Sequence, residues 1–396
     1  MCYRIGLLMM IVTSAAFAGC AQQVKTASVM RDAAEQTRVM LKEIPSAKRD
    51  KKELVSPRTL EKGELKLVPS RDWTSGFFPG VLWFLYEYTG ENEWKQQAID
   101  YTLPLEREKM NGGTHDMGFK IYCSFGAGYR LTQDPHYRDV IIQSAKTLST
   151  RFNPKVGCIR SWDHNTDKWG FPVIIDNMMN LELLFEATRL TGDSSFHHIA
   201  VSHANTTLQN HFRPDNSSYH VIDYDTATGA VVKKNTHQGY AHESAWSRGQ
   251  AWGLYGYTLC YRYTRDPRYL QQAERIAAYM FNHPNMPKDL VPYWDYNAPD
   301  IPHEERDASA AAVLASGLYE LSTFSTQGKD FQQKADRIME TLTKNCRAKV
   351  GEDKGFLLLH STGSKPAKSE VDVPLSYADY YYIEALLRGD KLRKKK

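Results

Sequence analysis

The chain has 396 residues, of which 42% are hydrophobic and 12% are aromatic. This composition can supply a large buried core, and the many aromatic rings suit a cleft for ligands with flat apolar faces, such as sugars. The formal net charge of only +4 argues against a nucleic-acid-binding protein, and the basic run KLRKKK at 391–396 is interpreted as a solvated tail.

The first 20 residues have the pattern of a signal peptide. Arg4 precedes an apolar segment from Leu7 to about Ala18, and small residues follow. The ending FAGC resembles a bacterial lipobox, in which Cys20 would carry the lipid, although Phe17 stands where Leu is usual. Simple secretion is the alternative to a lipid anchor. In both cases we predict an exported protein, either periplasmic or anchored to the outer membrane.

A motif that occurs five times along the chain predicts five helix hairpins. In each copy an apolar helix end is followed by Thr, a polar turn and, five positions after the Thr, an aromatic residue. The pairs are Thr89 and Trp94, Thr132 and Tyr137, Thr191 and Phe196, Thr264 and Tyr269, and Thr326 and Phe331. A small or apolar residue four positions beyond each aromatic shares its face of the second helix. Gly or Asp-Pro after the Thr ends the first helix.

The two helices of each hairpin differ in composition. The first are rich in Gly, Ala and aromatic residues, which indicates burial on most sides, and the second are amphipathic. With further helices near 30–45 and 376–388, about twelve helices are expected. We therefore predict an all-α fold, an (α/α)6 barrel of six helix hairpins, with an open α-solenoid as the alternative. The predicted boundaries are a signal peptide at 1–20, a tether at 21–29, one catalytic domain at 30–390 and the basic tail at 391–396. One short β-hairpin is expected at 221–234, with Gly229 in its turn.

In such a barrel the inner helices all begin at one end, and each predicted start carries an acidic residue. These residues are Asp72, Asp116, Asp176, Glu243, Asp307 and Asp379. Helix capping explains each of them alone. The same stretches also contain Trp, His and Arg side chains. Indoles that stack on a sugar, an Arg that binds a carboxylate and two carboxyl groups would form a site for an acidic saccharide, although core packing explains the Trp residues equally well.

Other chemistries lack their motifs. The sequence has no GxSxG elbow, no phosphate-binding loop, no dinucleotide fingerprint and no HExxH zinc-protease motif. We therefore expect neither a metal nor a cofactor. Four cysteines follow the signal segment: Cys123, Cys158, Cys260 and Cys346. Their wide spacing does not suit a zinc site and favours buried thiols, and it leaves a disulfide open.

Four motifs together resemble the unsaturated glucuronyl hydrolases of glycoside hydrolase family 88: WTSGFFPG, HDMGF, IIDNMMN and WSRGQAWGLYG, in the family's order over about 60–345. The resemblance implies an (α/α)6 barrel that acts on oligosaccharides from polysaccharide lyases, which end in a 4,5-unsaturated uronic acid. It implies that Asp176 protonates C4 and then assists water addition at C5, and that Asp116 is the second essential carboxylate. The substrate-binding residues it implies are His115, Trp73, Trp162, His220, Gln238, Arg248 and Trp252.

This chemistry requires a carboxylic acid that keeps its proton. An ordinary Asp has a pKa of about 3.9 and is ionised near neutrality. The apolar residues 172–175 and Met178 and Met179 would desolvate Asp176, and an ionised Asp116 nearby would add repulsion, whereas a helix start favours the anion. We predict that the pKa of Asp176 is raised and that the enzyme works best on the acidic side of neutral.

The substrate is less closely defined by the sequence. Ser361, Ser364 and Lys365 resemble a loop with which some family members hold sulfate, which favours sulfated glycosaminoglycan fragments; a polar loop before the last helix is the alternative. An unsaturated rhamnogalacturonyl hydrolase acting on pectin fragments and a non-catalytic glycan-binding lipoprotein are the competing interpretations. Neither nucleic acid nor, apart from a lipid on Cys20, a membrane is expected as a partner.

Overall fold

The structure is a computed structural model, and it describes residues 24–394. The predicted signal segment and Cys20 lie outside these residues. The described part contains twelve α-helices, six of which form an inner ring. The inner helices are α2 (Phe77–Thr89), α4 (Ala127–Thr132), α6 (Leu181–Thr191), α8 (Ser247–Thr264), α10 (Ala308–Leu321) and α12 (Ser376–Lys394). The outer helices are α1 (Thr26–Lys48), α3 (Asn92–Thr102), α5 (Pro135–Ser149), α7 (Ser194–Asn210), α9 (Pro267–Asn282) and α11 (Gly328–Thr341).

The inner helices contact one another around the ring, with the segment Gly118–Gly126 before α4 making the contact to α6, and α12 closes the ring against α2. Two inner helices are preceded by non-α turns: a π-helical segment, Gly118–Gly126, leads into α4, and a 3₁₀ segment, Ile175–Asn180, leads into α6. The outer helix that partners α12 is α1, whose Thr26 hydroxyl accepts a hydrogen bond from Arg393 at 3.0 Å. The predicted (α/α)6 barrel is therefore confirmed.

The repeated Thr ends the inner helix in four of the five predicted hairpins. At Thr264, for example, the hydroxyl donates to the Cys260 carbonyl at 2.8 Å and accepts from the Asp266 amide at 3.1 Å. Asp266 then caps the next helix through the amide of Arg268. The fifth hairpin differs because α10 ends early, at Leu321, and there Ser325 accepts the amide of Gln327 instead.

The aromatic residue of each hairpin is buried, and so is its partner four positions later. The pairs are Trp94 and Ala98, Tyr137 and Ile141, Phe196 and Ala200, Tyr269 and Ala273, and Phe331 and Ala335. Each pair anchors an outer helix on the inner ring, so the motif encodes the contact between the two layers.

Seven short strands supplement the helices. They are β1 (Leu54–Glu61), β2 (Glu64–Pro69), β3 (Phe152–Asn153), β4 (Cys158–Ile159), β5 (Pro172–Ile174), β6 (Val221–Tyr224) and β7 (Val231–Asn235). The predicted hairpin at 221–234 is confirmed as β6 and β7, with Gly229 at φ +77°. The sequence analysis missed the hairpin of β1 and β2, whose turn places Lys62 and Gly63 at positive φ.

Both ends of the helical domain extend beyond the predicted limits. Helix α1 begins at Thr26, inside the segment predicted as a tether, and α12 continues to Lys394, inside the predicted tail. Ion pairs hold the last turns of α12, between Lys391 and Glu87 and between Arg393 and Asp336. None of the helices within 24–394 combines the length and the apolar character needed to cross a bilayer. Cys123, Cys158, Cys260 and Cys346 are all buried and free.

Replacing Gly256 with alanine is expected to lower the free energy of unfolding by about 1–3 kcal/mol, because the new Cβ would lie 2.4 Å from the Cβ of Met178 and force repacking. Met178 belongs to the 3₁₀ segment that carries Asp176, so turnover should fall as well. Gly253→Ala on the same helix is the control, since its Cβ meets nothing closer than 3.4 Å. Urea unfolding curves of both variants would test this, and equal stability losses would contradict it.

Candidate active site

Asp176 reaches the mouth of the barrel through strand pairing and a 3₁₀ turn. Strand β5 pairs with β6, the Ile174 amide donates to the Ser161 hydroxyl at 3.0 Å, and the Ile175 amide donates to the His220 carbonyl at 3.1 Å. The 3₁₀ segment then turns the chain into α6. Only 8% of Asp176 is exposed. The apolar run before it is therefore a buried strand that fixes the position of the carboxyl group.

His220 faces Asp176 with a defined tautomer. Its Nδ1 accepts hydrogen bonds from the backbone amides of His237 and Gln238, both at 3.1 Å. The ring proton must therefore be on Nε2, which lies 3.6 Å from Oδ2 of Asp176. Burial, together with the neighbouring His237 and Arg248, lowers the pKa of His220 well below its ordinary value. A neutral imidazole thus points its N–H at the carboxyl group.

Asp116 lies on the neighbouring inner segment, in a polar environment. Its Oδ2 accepts from the Thr114 hydroxyl at 2.8 Å, and its Oδ1 lies 3.1 Å from Nε2 of His115. Burial by itself would raise the pKa of Asp116, but His115, Thr114 and the more distant Lys120 outweigh it, and the pKa is lowered. Asp116 is therefore ionised near neutral pH.

Asn180 holds the two aspartate segments together. Its Oδ1 accepts the backbone amide of Phe119 at 3.0 Å. The contact is so close that a Cβ on Gly118 would lie 2.7 Å from the Cα of Asn180. Gly118 is thus required in the HDMGF motif, because a larger residue would keep the two backbone segments apart. Their close approach brings Asp116 into electrostatic range of Asp176.

The pKa of Asp176 is raised to about 7. Burial is the main cause, His115 and Arg248 oppose it, and repulsion from Asp116 adds to it. This confirms the predicted direction and both predicted causes. The mouth thus contains one protonated carboxylic acid and one carboxylate at mildly acidic pH, the combination that acid–base catalysis on a sugar requires.

Arg248 is fully buried, and much of its guanidinium is already bonded. It pairs with Asp307 at 2.6 Å and donates to the backbone carbonyls of Thr362 and Gly363, both at 2.6 Å. Gln238 also donates to the Gly363 carbonyl, at 3.1 Å. These two predicted binding residues therefore fix the 361–373 segment at the mouth. Of the side-chain nitrogens of Arg248, Nε is the one that is buried without a hydrogen-bond partner.

The three tryptophans predicted to contact substrate differ in their surroundings. Trp73 is half-buried and packs on Tyr377, with the ring centroids 4.9 Å apart. Trp162 is 9% exposed and stacks on His164. Trp252 is completely buried below the mouth, between Phe119 and Tyr381. Its environment is that of a core residue, the alternative that the sequence left open.

The Ser and Lys cluster near 361 does not form an open cationic site. Ser361 is completely buried and pairs with Val373 across the segment. Lys365 forms ion pairs with both Glu304 and Glu305. Its charge is therefore already compensated, and both Ser364 and Lys365 are half-buried.

Four of the six acidic residues at the inner helix starts have other partners. Asp307 caps α10 and binds Arg248, and Asp72 pairs with Arg58. Glu243 is exposed, and Asp379 accepts the amides of Leu357 and Leu358 deep in the core. Capping, ion pairing and buried hydrogen bonds account for Asp72, Asp307 and Asp379, and Glu243 pairs with Arg213 at the surface. Of the six, Asp116 and Asp176 therefore form the acid and carboxylate pair.

Sequence reasoning missed several residues that shape this site. They are Thr114, Lys120 with its buried partner Glu108, Asn180 and His237. Thr114 and Asn180 lie inside or beside the HDMGF and DNMMN motifs, so the motifs contained that signal. Nothing in the sequence joins Lys120 to Glu108, because that pair forms only when the turn before the π-helical segment folds back on it.

The fold and the mouth define an (α/α)6-barrel glycosidase with an acid–base pair of aspartates. Residues 46–390 match the model of Glycosyl Hydrolase Family 88. An unsaturated glucuronyl hydrolase of Formosa agariphila is 55% identical over 82% of both chains, and an unsaturated chondroitin disaccharide hydrolase of Streptococcus pyogenes is 34% identical over 85% of this chain and 86% of that one. The crystal structure of an unsaturated glucuronyl hydrolase specific for heparin superposes with a TM-score of 0.88 at 46% identity, over 93% of this chain and 97% of that one. The chain therefore belongs to glycoside hydrolase family 88 and is a glycosidase of the unsaturated glucuronyl hydrolase type.

Proposed function

We propose that this protein removes the 4,5-unsaturated uronic acid from the non-reducing end of glycosaminoglycan oligosaccharides produced by lyases. One observation carries the proposal. Asp176, with its pKa near 7, stands beside the ionised Asp116 at the mouth of the barrel. A protonated acid is what the first step needs, because the double bond of the substrate must receive a proton on carbon.

In the proposed mechanism Asp176 transfers its proton to C4, and positive character develops at C5 and the ring oxygen. Water then bonds to C5, and Asp176, now a carboxylate, takes a proton from that water. Water has thereby been added across the double bond, and the acid is regenerated. The hemiketal at C5 opens to a ketone, and the resulting hemiacetal at C1 releases the rest of the chain.

The neighbouring residues have distinct proposed roles. Asp116 stabilises the developing positive charge through its own negative charge. The N–H of His220 points at Asp176 and orients its carboxyl group. Trp73 is half-buried and has the exposure needed to contact a sugar ring, and His115 lies 3.1 Å from Asp116. Trp162 is the second candidate for this contact, although only 9% of it is exposed. Gln238 and Arg248 fix the 361–373 segment that borders the site.

The substrate class rests on the relatives, whose printed specificities differ between chondroitin disaccharide and heparin. Because Lys365 is neutralised by two glutamates, we propose that it does not select for sulfate. A panel of unsaturated disaccharides differing in the presence and position of sulfate would test this. Comparable kcat/KM values with and without sulfate near that loop support it, whereas a strong requirement for sulfate there would show that Lys365 changes partners on binding.

Activity itself is measured through the near-ultraviolet absorbance of the unsaturated ring. Hydration of the double bond abolishes this absorbance, whereas binding alone leaves it intact. Loss of the absorbance together with release of the reducing sugar supports the proposed reaction. A protein that binds the disaccharide and leaves the absorbance unchanged is a glycan-binding protein, and pectin-derived fragments in the same assay test the rhamnogalacturonyl alternative.

The pH profile follows from the protonation state of Asp176. Its pKa of about 7 means that kcat/KM should be nearly level at pH 5–6 and should fall about tenfold per pH unit well above pH 7, because only the protonated acid reacts. The pKa of Asp116 is lowered, so the fall of kcat/KM on the acidic side of the profile should occur below the ordinary pKa of an aspartate. Initial rates at constant ionic strength test this, and a profile that rises through pH 8 would contradict it.

We propose that the chain is exported and lipidated at Cys20, on the basis of the FAGC sequence. Metabolic labelling with a radioactive fatty acid would detect the lipid, and Cys20→Ser should abolish the label. A labelled Cys20→Ser protein, or an unlabelled secreted wild type, would rule out the anchor.

A further inference from the structure

A cavity lies at the end of the barrel opposite to Asp176, where the inner helices end. Its volume is about 460 Å³, inside the range of roughly 300–1,000 Å³ that is typical of small-molecule sites. Residues of α2, α4, α6, α8 and α12 and of the π-helical segment Gly118–Gly126 form its wall. Arg130, Arg189 and Lys391 at its rim are exposed, so the cavity is open to solvent.

Aromatic rings separate this cavity from the catalytic mouth. Phe119, Met179 and Tyr381 line its inner end. Trp252 packs against two of them, with its ring centroid 5.2 Å from that of Phe119 and 5.3 Å from that of Tyr381. Phe119 and Met179 each follow a catalytic-site aspartate by three residues, so the floor of the cavity belongs to the segments that carry Asp116 and Asp176.

The charges in the wall are compensated. Each charged side chain that lines the cavity has an ion-pair partner in the wall. The pairs are Arg262 with Glu182 at 2.6 Å, Arg189 with Glu186 at 2.8 Å, Arg388 with Glu384 at 3.4 Å, and Arg130 and Lys391 with Glu87 at 2.6 and 2.7 Å. A charged ligand would have to displace one of these partners. The cavity therefore favours a neutral ligand.

Most of the uncharged polar groups in the wall are hydroxyls on aromatic rings, together with the amide of Gln133 and the thiol of Cys123. Six tyrosines line the cavity: Tyr122, Tyr129, Tyr255, Tyr263, Tyr380 and Tyr381. Their rings offer flat apolar faces, while their hydroxyls alternate with guanidinium donors and carboxylate acceptors, as where Tyr263 donates to Glu186 at 2.7 Å. A molecule with many hydroxyl groups and apolar C–H faces satisfies both kinds of surface, and neutral sugars have this character.

We propose that this cavity binds a neutral mono- or disaccharide at a site separate from the catalytic mouth. The proposal goes beyond the proposed reaction and does not rest on it. Because Phe119 and Met179 form the floor, an occupied cavity restrains the segments of both aspartates. A bound sugar should therefore change kcat for the unsaturated substrate without competing for the mouth.

Calorimetric titration of the full chain with N-acetylglucosamine and with maltose tests the proposal. We expect saturable binding of at least one of them, and Ala127→Leu should weaken it at least about tenfold, because Ala127 lines the cavity and Leu fills part of it without removing a hydrogen bond. Ala227→Leu, in the exposed turn between β6 and β7, is the control and should bind as the wild type does.

A second variant covers the case in which Ala127→Leu fails to fold. Tyr122→Phe removes one hydroxyl from the wall and adds no volume, and it should weaken binding several-fold. No saturable heat with either sugar would overturn the proposal, and so would equal affinity in the wild type and the folded cavity variants. The titration uses no unsaturated substrate, so its outcome is independent of the absorbance assay.

Discussion

Asp176→Asn is expected to lower kcat by about 10²–10⁴-fold, because asparagine has no proton to transfer to C4 and no carboxylate to activate water. Binding of the unsaturated disaccharide should be retained, since the amide has the shape of the acid and His220 still faces it. Stopped assays for kcat and calorimetric titration for the dissociation constant separate these two effects. Asp193→Asn, an exposed cap on α7, is the matched control and should leave both unchanged.

The same variant has a second expected effect, on stability. The pKa of Asp176 is about 7 in the folded protein and 3.8 as its reference value, so the folded state holds a proton that the unfolded chain loses. The contribution of this group to the free energy of unfolding is fully present below about pH 4 and is lost as pH rises through 7. The total loss is a few kcal/mol, since each unit of pKa shift corresponds to roughly 1.4 kcal/mol. Asp176→Asn buries no charge, and its melting temperature should exceed that of the wild type at pH 8 but not at pH 4.

Two outcomes would contradict the role of Asp176. Near-normal turnover of the asparagine variant would show that another group supplies the proton. An equal change in melting temperature at pH 4 and pH 8 would show that the carboxyl group is not protonated through burial. Measuring both in one preparation distinguishes a lost acid from a misfolded protein.

Asp116→Asn is expected to lower kcat by about 10²–10³-fold, because the positive charge that develops at C5 loses a nearby carboxylate. The variant should also move the alkaline limb of the pH profile to lower pH. Asp116 raises the pKa of Asp176 by repulsion, and removing this charge lets Asp176 ionise earlier. Measuring the residual rate of the variant from pH 5 to 8 gives both the drop in kcat and the shift of the alkaline limb.

A merely structural role of Asp116 predicts a different pattern. The pKa of Asp116 is lowered in the fold, so its ionised form stabilises the protein above its ordinary pKa of 3.8 and this contribution is lost as pH falls below it. Some loss of melting temperature at pH 7 is therefore expected in Asp116→Asn, and less at pH 3. If the alkaline limb of the Asp116→Asn pH profile stayed in place and only its melting temperature fell, the proposed effect of Asp116 on the pKa of Asp176 would be wrong. Glu108→Gln, two contacts away through Lys120, should shift the limb much less.

The barrel could be predicted because its signal is local and repeated. The Thr that ends an inner helix and the aromatic residue that begins the packing of the next helix occur within six residues of each other, so each hairpin is specified by its own short segment. The hairpin of β1 and β2 was missed because β1 buries Ser56, Pro57 and Thr59, so the strand shows no apolar alternation. The fifth hairpin shifted by one residue, to Ser325, because Ser and Thr hydroxyls can both accept the turn amide.

The identity of the acid could also be predicted, since an apolar run before Asp176 indicates desolvation. The distribution of roles among the predicted binding residues could not. Trp252 and Arg248 lie one helical turn apart on α8, and the family resemblance implied that both bind the sugar, with core packing of Trp252 as the alternative. The structure buries Trp252 between Phe119 and Tyr381 and uses Arg248 to hold backbone carbonyls near 362. Which neighbour a buried side chain meets depends on segments distant in sequence.

The sequence by itself determined the helix hairpins and the two motifs that carry Asp116 and Asp176, because periodicity and turn chemistry act over a few residues. It favoured a closed barrel but left an open solenoid as the alternative. Only the tertiary structure decided that these two carboxyl groups share one mouth, through the contact of Gly118 with Asn180. It alone placed His220 against Asp176 and engaged Lys365 with two glutamates. Proton affinity depends on burial and on charges brought together from separate helices, and these quantities exist only once the ring has closed.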